Sequence, residues 1–170
     1  MKRVFLSMVA IAGIALVSCK KTDDPVTPAE PGTCTISGTV HAPLDLSNDT
    51  TAAGTYIYNL NPEDVTSGII TFVVDSEDLD HNPDDDYIYK DLSFSASISG
   101  GEYSVEVPAI STPLTVDVYV DDFNADQRQY IAGNPDSVVY ENMMFSAGSM
   151  SLGGITEGAS RVLNIEYGDM

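Results

Sequence analysis

The sequence predicts an all-β domain, an antiparallel β-sandwich of seven to eight short strands. Apolar and polar residues alternate strictly through 92–98, where Leu, Phe, Ala and Ile alternate with serines. Glycine and proline separate such stretches at short intervals. No window beyond the N-terminal apolar run shows helical periodicity over three turns. Period-two alternation bounded by turn residues is typical of half-buried strands in a sandwich.

Each predicted strand is a short run of β-branched, aromatic or alternating residues that ends at a turn signal. The predicted strands are 34–41, 55–60, 68–75, 92–98, 103–107, 114–120, 137–145 and 161–167. Gly100 and Gly101 separate two of these runs, so 92–98 and 103–107 are predicted to form a hairpin. Pro108 ends the second arm of that hairpin, because proline lacks the donor that a strand needs.

The N-terminus predicts a secretory signal. Lys2 and Arg3 precede an apolar run of 14 residues, 4–17, which is followed by Ser18 and Cys19. The run is shorter than the roughly 20 residues that a spanning helix needs. A removable signal peptide at 1–18 is therefore predicted.

The tetrad Leu-Val-Ser-Cys at 16–19 resembles the lipobox of bacterial lipoproteins. The resemblance implies that Cys19 is acylated and becomes the first mature residue, so that lipid holds the protein to a membrane. Residues 20–24, Lys-Lys-Thr-Asp-Asp, resemble the signal that carries Bacteroidetes lipoproteins to the outer leaflet of the outer membrane. The alternative is a solvated start of a tether. The expected location is the outer membrane, at the cell surface or facing the periplasm.

Composition predicts one acidic folded domain on a linker. The chain has 26 acidic and 7 basic residues, a formal net charge of −19, which makes nucleic-acid binding an excluded function. Residues 19–32 contain three prolines and no apolar periodicity, as an extended linker does. The folded domain is predicted at 33–170. Cys34 is the one other cysteine, so no intrachain disulfide is expected, and it is predicted to be buried and inert.

Two motifs resemble those of carboxypeptidase regulatory-like domains, whose fold is an Ig-like, prealbumin-like sandwich. They are TISGTV at 35–40 and GEYSVEVP at 101–108. The resemblance implies that Gly38 relieves crowding in the opening strand and that Gly101 lies in a turn before an aromatic core residue. It also implies a structural or interaction module. The segment 42–68 is longer than the first connection usual in that family.

Two acidic clusters are candidate calcium sites, because calcium prefers six to eight oxygen ligands. The first consists of Asp78, Asp80, Asn82 and Asp84, and the second of Asp121, Asp122, Asn124 and Asp126. Neither matches an EF-hand loop, since Pro83 and Gln127 stand where the glycine is required. If both clusters are end loops of the sandwich, they are able to share an ion. The alternative is that both are solvated acidic loops.

Little in the sequence predicts catalysis. It has two histidines, His41 and His81, and no motif of the nucleophile-elbow or metalloprotease kind. The chain is therefore predicted not to be an enzyme, a hydrolase with a carboxylate pair being the remaining catalytic hypothesis. No cofactor other than calcium is expected.

Tyrosines provide the other candidate binding residues. Tyr56 with Tyr58, and Tyr87 with Tyr89, are spaced by two, which places each pair on one face if the segment is a strand. An exposed pair stacks on a sugar or on a partner protein, whereas a packed pair belongs to the core. The sequence predicts a non-catalytic surface binding module for a protein or glycan. The alternative is a structural or accessory subunit of a surface assembly, joined through a sheet edge.

Overall fold

The structure, a computed structural model, describes residues 30–134 and 136–170. The predicted signal peptide 1–18, Cys19 and the linker up to residue 29 lie outside the described residues. No helix in the described part of the chain is long and apolar enough to cross a membrane.

Twelve strands and one short 3-10 helix, η1, make up the regular structure of the described residues. They are β1 (Gly32–Ala42), η1 (Leu46–Asn48), β2 (Glu63–Asp64), β3 (Ile69–Asp75), β4 (Asp91–Ser97), β5 (Glu102–Ala109), β6 (Leu114–Val120), β7 (Phe123–Arg128), β8 (Tyr140–Ser146), β9 (Ser149–Ile155), β10 (Ser160–Val162), β11 (Ile165–Glu166) and β12 (Gly168–Asp169).

The first layer is organised around β1. On one side β1 pairs antiparallel with β5 and β2, and on the other it pairs in parallel with β10 and β11. Only Tyr167 separates β11 from β12, and β12 pairs antiparallel with β8, which pairs with β7. The C-terminal segment therefore links two groups of strands into one layer.

The second layer is a four-stranded antiparallel sheet in the order β4-β3-β6-β9. Alternate residues of its two central strands are fully buried and face β1 and the C-terminal strands, for example Phe72, Val116 and Val118. The first layer contributes the buried side chains of Phe145 and Ile165 to the same core. Each such side chain contributes about 1.5–3 kcal/mol relative to an exposed one, so these facing sides form the core of a sandwich. The predicted fold class, an all-β antiparallel sandwich, is confirmed.

Two glycines permit close backbone approaches in the first layer. A Cβ on Gly38 would lie 1.9 Å from the carbonyl oxygen of Leu163, between β10 and β11. Gly101 has a φ of +79°, and a Cβ there would lie 2.6 Å from the Asp64 side chain. Tyr103, two residues later, is 5% exposed and donates a hydrogen bond to the Leu163 carbonyl at 2.7 Å. The motifs around these glycines therefore have a steric basis in this chain.

Several strand predictions are wrong in detail. Residues 55–60 are not a strand, although an isolated bridge joins Thr50 to Tyr56. The runs 92–98 and 103–107 meet in a tight turn closed by an antiparallel bridge between Ser99 and Glu102. They do not pair beyond this turn, because β4 pairs with β3 and β5 pairs with β1. The glycine turn carries the chain from one layer to the other. Strands β7 and β9 were not predicted, since the acidic and glycine residues in them hide the apolar alternation.

The strand directions define two ends of the sandwich. At the end where β1 begins, Gly32 lies opposite Ala109, and the turn 110–113 and the β3–β4 loop lie nearby. We call this the tether end, because the linker precedes β1. At the opposite, distal end, β1 finishes, and β7, β8 and β12 extend beyond it.

Candidate functional site

Two long connections meet at the distal end, and we call their described residues, 43–62, 129–134 and 136–139, the distal surface. The first connection joins β1 to β2 and includes η1, and the second joins β7 to β8. The rings of Tyr56 and Tyr130 stack between the two connections, with centroids 4.7 Å apart and planes at 11°. The two connections therefore contact each other through these rings.

Asp49 organises the first connection from within. Its side chain is fully buried. Its carboxylate accepts the backbone N–H of Asn61 at 2.5 Å and that of Asn59 at 3.1 Å, and its own carbonyl accepts the N–H of Ile57 at 2.9 Å. Asn59 has a positive φ of 56°, a conformation that asparagine tolerates better than most residues. A buried acid that is satisfied by backbone donors fixes the path of the connection.

The same connection is bonded to distant parts of the chain. The backbone N–H of Arg128 donates to the carbonyl of Leu44 at 2.8 Å. Gln127, which is 1% exposed, donates through Nε2 to the carbonyl of Pro43 at 2.7 Å. Asn59 donates through Nδ2 to Glu166 at 3.1 Å. The connection is thus held against β7 and β11.

The hydroxyl of Tyr58 donates to Asp169 of β12 at 2.7 Å. Partial burial and this bond raise the pKa of Tyr58. Burial, followed by the charges of Asp49 and Asp169, raises the pKa of Tyr56. Both hydroxyls therefore keep their protons at physiological pH.

Apolar side chains are concentrated on the distal surface. Six of the fifteen exposed large apolar residues in the described part of the chain lie on it, namely Ile57, Tyr58, Leu60, Ile131, Val138 and Val139. Exposed apolar residues grouped on a surface mark interaction sites more often than scattered ones do. The distal end therefore has exposed apolar side chains on both connections, and the first connection is hydrogen-bonded to β7, β11 and β12.

The first acidic cluster lies at the other end of the molecule. Asp78, Asp80, Asn82 and Asp84 belong to the β3–β4 connection, residues 76–90, which we call the acidic loop. Asp80 accepts the backbone N–H of Asn82, and Asp84 accepts that of Asp86, both at 2.9 Å. These are Asx turns, in which a carboxylate bonds the backbone two residues onward.

Tyr89 connects two of these turns. Its hydroxyl donates to Asp80 at 2.7 Å and accepts the backbone N–H of Asp84 at 3.0 Å. Hydrogen bonds from the backbone N–H of Asn82 and from the Tyr89 hydroxyl lower the pKa of the Asp80 carboxyl. Tyr87 packs edge to face against Tyr89, with ring centroids 4.8 Å apart. Neither predicted tyrosine pair, therefore, lies on a strand face.

An open cleft of about 310 Å³ lies beside the acidic loop. It is lined by Glu77, Asp78, Asp80, His81, Pro83, Ile110 and Thr112. Across residues 30–134 and 136–170, no group of three or more His, Cys, Asp or Glu side chains is arranged to hold a metal ion. The calcium site stays a prediction.

The second acidic cluster differs from its predicted form. Asp121 and Asp122 follow β6 at the distal end, whereas Asn124 and Asp126 lie on the solvent face of β7. Asp126 accepts a hydrogen bond from Asn142 of β8 at 3.1 Å. The prediction that both clusters are end loops able to share one ion is wrong, because they lie at opposite ends of β6.

The remaining residues considered in the sequence are Cys34, His41 and His81. Cys34 is fully buried in β1, as predicted, and burial raises the pKa of its thiol. His41 lies on β1 with Nε2 3.3 Å from Asp64, and His81 is exposed on the acidic loop.

Sequence patterns did not predict the buried Asp49, the buried position of Gln127 or the stacking of Tyr130 on Tyr56. Gln127 was assigned to an acidic loop, although its alternation with Phe123 and Ala125 is a weak signal for the inner face of a strand. Nothing in the local sequence distinguishes Asp49 from the other 25 acidic residues, since its donors come from ten and twelve residues onward.

No protein-family model matches the chain, and no curated protein matches its sequence significantly. A solved structure from Pseudomonas aeruginosa, described as a "putative carbohydrate binding protein", matches with a TM-score of 0.37 and 10% sequence identity. The match covers 81% of this chain and 90% of that chain. Similarity at this level does not extend a function from one protein to the other.

Proposed function

We propose that this protein is a surface lipoprotein, acylated at Cys19, whose sandwich is a non-catalytic binding module. Its ligand surface is the distal surface, and its partner is a protein. Strand β1 begins at the tether end, so an anchor on Cys19 joins the domain at the end opposite the distal surface.

The observation that carries the proposal is the combination of exposed aliphatic residues with a rigid support. Ile57 and Val138 are exposed on two connections, of which the first is hydrogen-bonded to Asp49 and both are joined by the Tyr56–Tyr130 stack. Binding by a preorganised surface avoids the entropy cost of ordering a loop. Apolar residues supported in this way favour specific binding over general solubility.

The composition of the surface favours a protein over a glycan. Sugar rings stack on free aromatic faces, but Tyr56 and Tyr130 stack on each other and the Tyr58 hydroxyl is held by Asp169. The side chains left exposed are mostly aliphatic, and aliphatic contacts are typical of protein interfaces.

Site-specific photo-crosslinking on intact cells tests the proposal. A photoreactive amino acid replaces Ile57 or Val138 of the full chain, and a matched variant has it at Glu106, which is exposed on β5. We expect a discrete protein adduct from the two distal positions and none from Glu106. Absence of an adduct at both distal positions, or equal adducts at all three, would contradict the proposed surface.

Binding of the purified protein to a glycan array separates the two ligand classes. The protein-partner proposal predicts no binding that depends on the distal surface. Glycan binding that is lost in Tyr58→Ala and retained in Tyr89→Ala would replace the protein partner with a glycan at the same surface.

Lipidation has its own test. We expect the wild-type chain to incorporate a labelled fatty acid and to partition with the outer membrane, whereas Cys19→Ala does neither. Replacing 20–24 with alanines should leave acylation intact and reduce cleavage by protease added to intact cells. Labelling of Cys19→Ala to the wild-type level would refute the anchor.

The calcium hypothesis extends the proposal at the tether end. Thermal melting of residues 30–170, which contain the described core, is compared in EDTA, calcium and matched magnesium. Calcium at 100 times its dissociation constant adds about 2.7 kcal/mol to the free energy of unfolding. We expect a calcium-specific rise that is lost in the double variant Asp80→Asn and Asp84→Asn but kept in Asp126→Asn. Equal melting points in all three buffers would eliminate calcium.

A further inference from the structure

Among the strands longer than three residues in the described part of the chain, four pair on one side only, namely β4, β5, β7 and β9. An open edge presents unpaired backbone donors and acceptors, so it is a template for pairing with another chain. Natural proteins protect such edges with charge, proline, bulges or covering segments. The four edges of this sandwich differ in that protection.

Three of the edges are protected. The edge of β7 is covered where the N–H of Arg128 donates to the Leu44 carbonyl. On β9, the register shifts opposite β6, and the Gly153 carbonyl already accepts a bond from Arg161 at 3.0 Å. The edge of β5 has exposed Glu102 and Glu106 and ends with Pro108 and Ala109.

The edge of β4 has none of these features. After Asp91 it reads Leu-Ser-Phe-Ser-Ala-Ser, with no charge, proline or glycine. Its register with β3 is continuous over seven residue pairs, without a bulge. In a chain with a net charge of −19, this edge is a neutral strip.

The outward backbone groups of β4 belong to its serines. The N–H of Ile98 donates to the carbonyl of Gly68 at 3.0 Å, so Ile98 bonds toward β3. Bonding direction alternates along an antiparallel strand, which assigns the inward groups to Leu92, Phe94 and Ala96. The backbone groups of Ser93, Ser95 and Ser97 therefore face the open edge.

We propose that β4 pairs antiparallel with β4 of a second copy of this chain, about a two-fold axis at Phe94. This axis uses the whole strand and places Ser93 opposite Ser95 of the other copy. Both serines have outward backbone groups, so they form a complete hydrogen-bonded pair. The result is a continuous eight-stranded sheet across two molecules.

Charge favours a second copy in this orientation. Asp91 lies opposite the uncharged Ser97, so no acid faces an acid along the strand. The two acidic loops lie at opposite ends of the paired strands, about 23 Å apart for seven residues at 3.3 Å each. That separation exceeds the Debye length of about 8 Å at physiological ionic strength. Pairing also covers Leu92 and Phe94, which are incompletely buried at the edge.

Two-fold symmetry explains why one second copy is enough to pair the free backbone groups of β4. A two-fold contact uses the same strand in both molecules and leaves no further β4 edge exposed, so association stops at the dimer. This inference does not depend on the lipid anchor or on the distal surface. It concerns residues on the second layer alone.

Analytical ultracentrifugation of residues 30–170, from about 1 μM to about 1 mM protein, tests the pairing. We expect the mass to double with concentration in the wild type and to remain monomeric in Ser95→Pro. Proline at an edge position whose N–H faces solvent is compatible with the strand but removes the intermolecular donor. A circular dichroism melt checks that Ser95→Pro is folded.

A second variant keeps the test decisive if Ser95→Pro does not fold. The double variant Ser93→Glu and Ser95→Glu places like charges directly opposite each other in the pair, whereas Ser104→Glu adds charge on β5. We expect only the β4 double variant to abolish the dimer. A wild-type mass that is monomeric throughout, or a dimer that persists in the β4 variants, overturns the proposal.

Discussion

The acidic loop at the tether end and the 43–62 connection at the distal end differ in where their hydrogen bonds go. In the acidic loop, Asp80 and Asp84 bond backbone groups two residues away, and Tyr89 reaches Asp80 nine residues away. In the distal connection, Tyr58 reaches Asp169, 111 residues away. Both connect strands of the sandwich, but side-chain hydrogen bonds join only the second to strands that are distant in the chain.

This difference explains their surfaces. Local Asx turns satisfy the acidic loop internally, so much of it is exposed to solvent, and Ile88 within it is 82% exposed. Long-range bonds and the buried Asp49 hold the distal connection against the sheet and present its apolar side chains in fixed positions. A surface of fixed geometry is suited to binding, whereas locally satisfied charge is suited to solvation.

The strongest test of the comparison is Asp49→Ala. It leaves the buried N–H groups of Asn59 and Asn61 without an acceptor, and we expect a loss of about 3 kcal/mol in the free energy of unfolding. The matched variant Asp80→Ala, in the acidic loop, should leave that free energy unchanged, because water replaces its bonds. Urea unfolding of both variants measures the effect, and equal losses would remove the distinction between the two connections.

A smaller loss of stability is expected at high pH from Tyr103, which lies on β5 between the two ends. Burial raises the pKa of Tyr103 to about 12, above the usual value of 10.0. The folded state therefore holds this proton more tightly, and its stabilising contribution is complete below pH 10 and lost as the pH rises through about 12. We expect a loss of about 1.4 kcal/mol per pH unit within that window.

Comparison with Tyr103→Phe isolates this contribution from the other tyrosines. The variant lacks the bond to Leu163 and should lose about 1 kcal/mol at neutral pH. Its difference from the wild type should then shrink to zero and change sign between pH 10 and 12, because the wild type loses more than about 1 kcal/mol over that range. An unchanged difference over that range in urea unfolding would show that Tyr103 does not titrate with a raised pKa.

The smallest expected effect is that of Tyr58→Phe. Removal of its bond to Asp169 should lower the free energy of unfolding by about 1 kcal/mol, because Asp169 retains Gln127 as a donor at 3.3 Å. Tyr89→Phe, which removes a bond inside the exposed acidic loop, should have no measurable effect. A larger change in Tyr89→Phe than in Tyr58→Phe, measured by thermal melting, would invert the comparison.

Strand prediction succeeded where side chains alternate and failed where they do not. Strands β3, β4, β5 and β6 have regular apolar alternation and were placed to within two residues at each end. On β7, acidic and amide side chains occupy the solvent face and Gln127 occupies the inner face, so the pattern is typical of a loop. Partner choice was also misjudged, because two glycines between two strands are equally compatible with a hairpin and with a crossing between layers.

The candidate sites were less predictable than the strands. The sequence placed Asp78, Asp80, Asn82 and Asp84 together on a loop, and they do lie on one. It placed Tyr56 and Tyr58 on one strand face, whereas Tyr56 stacks on Tyr130 and Tyr58 bonds Asp169. Each of these partners lies more than 70 residues away in the sequence, beyond the range of a local pattern.

The sequence by itself determined the all-β class, the burial of Cys34 and the acidic surface. These features depend on local alternation and composition. The close contacts of Gly38 with Leu163 and of Gly101 with Asp64 join different elements, so the structure shows them. Only the tertiary structure decided which strands share a layer, which end bears the apolar connections and which of 26 acids is buried. Those outcomes depend on hydrogen bonds and packing between residues far apart in the chain, which no local pattern contains.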